Sequence, residues 1–190
     1  EGEIPSVEKM DSYAKMGENL AEVDSSLGEA EEIARFSADG MGNSVDKEAA
    51  VQTVSAIEGR RAMIEAGSAI LAAARSAVAS ANTAQEAWDL LLRGDSLARE
   101  AAQLVTDTNE SNVQLSIEKS NEAASLFAEA DNRFSDAEKE YAKADFSQYR
   151  SYLAKRIEAL GYAVASNNAY LARSKEEAAS QNDAYNAAEE

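Results

Sequence analysis

The sequence predicts an all-α protein, an elongated antiparallel bundle of about five long helices with alanine-rich, closely packed seams. Apolar residues recur at spacings of three and four over long segments, which is the period of an amphipathic helix. Only one Pro and nine Gly occur in 190 residues, so few positions interrupt helices. Alanine, at roughly a fifth of the chain, favours helix and allows neighbouring helix axes to approach closely.

The first predicted helix carries one apolar stripe and ends at a glycine-containing turn. Ser6 is the predicted N-cap, and the stripe consists of Met10, Tyr13, Met16, Leu20, Val23, Leu27 and Ala30. The turn covers residues 39–43, which include two glycines, and Ser44 is predicted to cap the second helix.

The second helix is predicted to end near Asn82, because Thr83-x-x-Glu86 fits a capping box that would start a third helix. Within the second helix, the stretch 62–81 is strongly apolar but contains Glu65 and Arg75. The two charges favour a buried helix over a membrane-spanning segment. Apolar positions of this helix are Ala50, Val54, Ile57, Ile64, Leu71 and Val78.

The third helix contains Arg93-Gly94-Asp95-Ser96, which resembles the integrin-binding motif of adhesion proteins. Adhesion would require the motif to lie on an exposed, mobile loop. Apolar helical spacing continues on both sides, so we predict a break or kink, with Gly94 ending one helix and Asp95 or Ser96 capping the next. This interpretation predicts that Gly94→Ala is tolerated or straightens the helix, and that Asp95→Glu leaves cell attachment unchanged.

A polar turn at residues 107–112 precedes a further helix whose start, Val113 to Ile117, alternates as a strand would. A lone strand would have no partner, so helix is favoured. The later seam alternates large and small residues: Phe127, Ala130, Phe134, Ala137, Tyr141 and Ala144. Asp145-x-x-Gln148 is the next predicted cap, and the last helix presents Tyr149, Leu153, Ile157, Leu160, Val164, Leu171 and Ala178.

Part of this seam, Ala137-x-x-x-Tyr141-x-x-Ala144 preceded by Phe134, resembles the second helix of a tetratricopeptide repeat. The pattern of the first repeat helix is missing, and no fixed period recurs along the chain. We therefore interpret the seam as ordinary core packing. The expected organisation is a single helical-bundle domain over residues 1–190, with frayed ends at 1–5 and 180–190.

Composition excludes several functions. A net charge of −17 argues against nucleic-acid binding, which needs clustered Lys and Arg. The chain has no Cys, which excludes a thiolate nucleophile and a Cys metal site, and no His, which removes the commonest general base and the commonest transition-metal ligand. Asp95 and Asp131 fall near seam positions, yet neither has a second catalytic group at a defined spacing. We therefore predict no catalytic residues, no bound metal, no cofactor and no enzyme activity.

The function predicted from the sequence is structural, or the binding of a protein partner that the sequence does not identify. The acidity and the lack of Cys and of an initiator Met favour a location outside the cytoplasm, as part of a longer precursor, with no membrane insertion of this segment. The alternative is a ligand-binding or sensor-type bundle with a polar cleft marked by Arg61, Asn167 and neighbouring tyrosines. Arg61, Ser68, Asn167 and Ser174 are the polar residues that interrupt apolar seams.

Overall fold

The computed structural model describes residues 7–40, 42–106, 109–173 and 175–189. Within these ranges the chain is helical with short turns and contains no strand, which confirms the predicted all-α class. The five helices are α1 (Val7–Gly40), α2 (Ser44–Leu104), α3 (Glu110–Glu140), α4 (Ser147–Leu171) and α5 (Lys175–Glu189). The predicted N-cap Ser6 and the terminal residues 1–5 lie outside the described residues.

The chain divides into two compact units, Glu1–Val78 and Ala79–Glu190, which we call unit 1 and unit 2. Helix α2 contributes its first part to unit 1 and its second part to unit 2, so the border lies inside a helix. Residues 180–189, for which fraying was predicted, belong to α5.

The helix boundaries differ from the predicted ones at two places. The predicted second and third helices are one continuous helix of 61 residues, so the predicted break at Asn82 and Thr83 is wrong. The Thr83 hydroxyl donates a hydrogen bond to Glu140 (Oγ1 to Oε2, 2.8 Å) instead of capping a helix. The predicted last helix is two helices, α4 and α5. The turn between them includes Arg173, whose φ of 62° is left-handed.

The helix caps follow local side-chain chemistry. At the start of α2, the Asn43 side chain accepts the N–H of Val45, so Asn43 performs the role that was predicted for Ser44. Asn109 caps α3 by accepting the N–H of Ser111, in the predicted turn. Asp145 accepts the N–H of Ser147, the first residue of α4, and this hydrogen bond lowers the pKa of Asp145.

Unit 2 has a continuous apolar core between α2, α3 and α4. The predicted seam residues on α3 are fully buried: Phe127, Ala130, Phe134 and Ala137. They pack against Ala87 and Leu91 of α2 and Leu153 of α4, and Trp88 meets Phe134 edge-on at 5.2 Å between ring centroids. Buried alanines between the large rings confirm the predicted close-packed seam. Helix α4 also packs against α5.

Unit 1 is a helical hairpin formed by α1 and the first part of α2. The buried residues of α2 here are few and follow heptad spacing: Ala50, Ile57, Leu71 and Val78. Ion pairs link the two helices, from Arg61 to Asp24 and Glu31 and from Arg35 to Glu58. Since two helices alone bury little apolar surface, several large side chains of unit 1 stay exposed.

Candidate functional site

The Arg93-Gly94-Asp95 motif lies within α2, far from either helix end, and not on a loop. Gly94 is buried and does not have a positive φ, so the predicted break is wrong. A Cβ added at Gly94 would lie 2.6 Å from Phe127 Cε1 and 2.8 Å from its Cδ1. Glycine is therefore needed here because the Phe127 ring packs directly against the α2 backbone.

Asp95 takes part in the same cluster. Arg156 of α4 donates from Nη2 to Asp95 Oδ1 at 3.4 Å, and only 15% of the Arg156 side chain and 18% of the Asp95 side chain are exposed. The Arg156 guanidinium also lies over the Phe127 ring, 5.6 Å from its centroid. Gly94 and Asp95 are thus packed within unit 2, while Arg93 is exposed on the helix, an arrangement unlike the mobile loop that adhesion requires.

Asp131, the other carboxylate near a seam, also has an arginine partner. Arg150 of α4 donates from Nε to Asp131 Oδ1 at 2.8 Å and from Nη1 to Glu138 Oε2 at 3.0 Å. These contacts tie the start of α4 to α3. Among the described residues, no group of three or more Asp or Glu side chains is placed to hold a metal ion.

Arg61, the first predicted cleft residue, faces α1 from the seam of unit 1. Its guanidinium donates to Asp24 Oδ1 and to Glu31 Oε2, each at 3.0 Å. The hydrogen bonds that Glu31 accepts from Arg35 and then from Arg61 lower the pKa of Glu31, and the hydrogen bonds that Arg61 donates to Asp24 and then to Glu31 raise the pKa of Arg61. The adjacent groove is lined by Ser68 and, besides Asp24 and Glu31, by two further carboxylates, Glu58 and Glu65. Two carboxylates already pair with Arg61, and four carboxylates in all line the groove, so its electrostatics disfavour an anionic ligand.

Asn167, the second predicted cleft residue, belongs to unit 2. Its Nδ2 donates to Ser116 Oγ at 3.2 Å, and Ser116 Oγ donates to the carbonyl oxygen of Ala101 at 2.9 Å. Asn167 lines a pocket of about 110 Å³ between α2, α3, α4 and α5, and Tyr185 of α5 lines it too. Asn167 and Tyr185 both line this pocket, whereas Arg61 lies in unit 1. Ser174, the remaining predicted residue, lies outside the described residues.

The sequence pattern did not identify Ser120 as a pocket residue. Ser120 lines the same pocket, and only 2% of the residue is exposed. Its hydroxyl makes no hydrogen bond with the described residues, whereas Ser116, one turn earlier on α3, makes two. A serine at helical spacing resembles any small seam residue, so periodicity gives no signal for it.

The apolar stretch of α2 in unit 1 is mostly exposed, so the prediction of a buried helix is wrong. By length and composition α2 includes an 18-residue window that could cross a membrane, with mean hydropathy 1.3, and only 11% of that window is buried. Met63 is 76% exposed and Ile70 is 72% exposed. They belong to an exposed stripe at spacings of three and four, the α2 stripe, whose members are Ala56, Gly59, Met63, Ala66, Ile70 and Ala73.

Comparison of the chain with protein-family models, with curated protein sequences and with solved structures finds no significant match.

Proposed function

We propose that this protein is an interaction domain that pairs with a second copy of itself through the α2 stripe. The observation that carries the proposal is the exposure of Met63 and Ile70 in the middle of an apolar heptad pattern. The six members of the α2 stripe span 18 residues, about two and a half heptads, at the spacing by which one helix packs on another. At 100° per residue, the centre of the α2 stripe lies about 120° around the helix from Ile57, Leu71 and Val78, so the stripe is a separate face from the one buried in the hairpin.

Charge supports a second copy as the occupant. Each chain carries a net charge of −17, so most of its surface repels another copy. Between residues 44 and 78, however, α2 has four acidic and four basic residues, whereas α1 has nine acidic and three basic residues. Pairing of α2 with α2 therefore joins two neutral, apolar faces and keeps the acidic α1 helices away from the contact.

A lipid bilayer is the competing occupant of an apolar helix. Glu65 and Arg75 lie in the apolar stretch, and each charged residue near the centre of a membrane-spanning helix costs about 2.5–3.5 kcal/mol. The same charges are tolerated in a helix pair, because both side chains are exposed on the α1 side of α2 and outside the α2 stripe: Glu65 lines the groove with α1, and Arg75 lies near Gly17. Self-association is therefore favoured over membrane insertion.

The test is sedimentation equilibrium over a range of protein concentrations. The wild-type chain should form dimers, and the double variant Met63→Gln, Ile70→Gln should raise the dissociation constant at least tenfold, about 1.4 kcal/mol. Leu92→Gln with Leu115→Gln is the matched control, since both leucines are exposed but lie in unit 2. This control should leave the dimer unchanged.

A wild-type chain that stays monomeric at about 100 μM, a concentration at which a −5.5 kcal/mol association is half complete, would refute the proposal. The proposal would also be refuted if both double variants raised the dissociation constant of the dimer by the same factor. Monomers that co-sediment with phosphatidylcholine vesicles would identify the bilayer as the occupant. The lack of enzyme activity and the location outside the cytoplasm stay predictions from composition.

A further inference from the structure

We propose that the pocket between α2, α3, α4 and α5 of unit 2 binds a small neutral molecule that carries hydroxyl or carboxamide groups. The pocket lies entirely within unit 2, so this inference does not depend on self-association through the α2 stripe, and either can fail alone.

The first observation is the Ser120 hydroxyl. It lines the pocket, is almost completely buried and has no hydrogen-bond partner among the described residues. The hydroxyl oxygen is not sealed in the core but keeps access to the pocket, whereas alanine at the same α3 position would offer the pocket no polar group. The hydroxyl can therefore accept a hydrogen bond from an occupant of the pocket or donate one to it.

The second observation is the set of polar groups around Ser120. Asn167 uses Nδ2 to bond Ser116, which leaves its Oδ1 as an acceptor without a partner in the described structure. Asn182 and Tyr185 of α5 bring further amide and hydroxyl groups to the pocket. Ser166 of α4 also lines the pocket, and alanine, valine and leucine side chains form the rest of its lining. An occupant therefore needs polar groups on one side and a hydrocarbon surface on the other.

Charge and size narrow the class of ligand. None of the described residues that line the pocket is charged, so an ion would lose its hydration without a counter-charge. The volume of about 110 Å³ corresponds to three or four water molecules at about 30 Å³ each. This space suits a molecule the size of acetamide or glycerol. Asn182 is exposed and Ser120 is buried, so the pocket leads from solvent into the core.

The test is a titration of the full chain by ¹H–¹⁵N correlation NMR with acetamide and glycerol as probes. Acetate has the size of acetamide but carries a charge, and it serves as the control ligand. Saturable shifts are expected for Ser120 and Asn167 with the neutral probes and not with acetate. Ser120→Ala should weaken acetamide binding by about 3–10-fold, the loss of one hydrogen bond between neutral groups.

Ser80→Ala is the matched control variant, because Ser80 is a buried serine of unit 2 that does not line the pocket. It should bind acetamide as the wild type does. A second variant, Ala102→Leu, fills the pocket from an exposed position of its rim and should abolish binding without disturbing the core. The proposal is overturned if no saturable shift appears with either neutral probe, which would mean that water alone fills the pocket. Unchanged binding in Ser120→Ala or equal binding of acetate would also overturn it.

Discussion

Replacing Gly94 with alanine should destabilise unit 2, although alanine is the better helix former. The added Cβ would lie 2.6–2.8 Å from two ring carbons of Phe127 and 3.2 Å from a third. Carbon atoms pack best at about 3.5–4.0 Å, so the ring would have to move by about 1 Å. Phe127 is fully buried, and Arg156 lies over its ring, so neither has free space to move into.

The size of the effect follows from two opposing terms. Alanine in a helix interior is favoured over glycine by about 1 kcal/mol. Overpacking a well-filled core costs about 1–3 kcal/mol, and we expect the upper end because the clash involves an aromatic ring and the backbone. The net loss in the free energy of unfolding should therefore be about 2 kcal/mol.

The assay is urea unfolding followed by the fluorescence of Trp88, the single tryptophan, which packs in the unit 2 core. Gly161→Ala is the matched control, since Gly161 is helical, belongs to the same unit and has no atom within 4 Å of an added Cβ. It should stabilise the protein by about 1 kcal/mol. Combining Gly94→Ala with Phe127→Leu should cost less than the sum of the single changes. If Gly94→Ala were as stabilising as Gly161→Ala, the assigned packing would be wrong.

Three further changes test other contacts by denaturant unfolding. Asp95→Asn weakens the pair with Arg156 and should cost about 1–3 kcal/mol; an unchanged midpoint would contradict the pairing. Arg61→Met removes one of the cations that lower the pKa of Glu31. A carboxyl with a lowered pKa stabilises the fold above its unfolded pKa, and this stabilisation is lost as the pH falls through the lowered folded pKa. Wild type and variant should therefore differ in stability at pH 7, and the difference should shrink as the pH falls below the unfolded value of about 4.3. Arg173→Gly should stabilise by about 0.5–1 kcal/mol because glycine adopts a φ of 62° without strain, and a loss of stability would disprove this.

The sequence predicted those parts of the fold that depend on local periodicity. The seam from Phe127 to Ala137 was identified from spacing alone, and its members are fully buried. The alternation after Val113 was correctly interpreted as helix, because a single strand has no partner. In both places the pattern of neighbours in the sequence is enough to define the buried face.

The errors came from local signals whose meaning depends on distant residues. Thr83 fits a capping box, yet its hydroxyl binds Glu140, and burial of Ala84 and Ala87 favours continuation of the helix. Gly94 has the features of a helix end, but the reason for glycine is a ring on another helix. The spacing of residues along the sequence does not indicate a contact of this kind between two helices.

The candidate sites were predicted only in part, for the same reason. Two of the polar residues that interrupt the seams, Arg61 and Asn167, have specific hydrogen-bond partners on neighbouring helices. The identity of each partner depends on which helices pack together. The same packing decides that Arg61 forms an ion pair and that Asn167 lines a pocket. Ser120 was not predicted as a pocket residue. What sets it apart is that its hydroxyl makes no hydrogen bond with the described residues, and the sequence alone does not show which hydrogen bonds form.

The border between the two units has a practical consequence for dividing the chain. A fragment that starts at Ala79 would begin in the middle of α2, and its first four backbone N–H groups would lose their helical acceptors. Thr83 and Glu86 stand at capping-box spacing just downstream, unused as a cap in the intact protein. A fragment that starts at residue 82 would place Thr83 at a new helix end, where its hydroxyl could accept one of those orphaned N–H groups. The sequence thus contains a capping-box pattern at Thr83 and Glu86 that would cap a helix only in a fragment in which unit 2 is expressed alone.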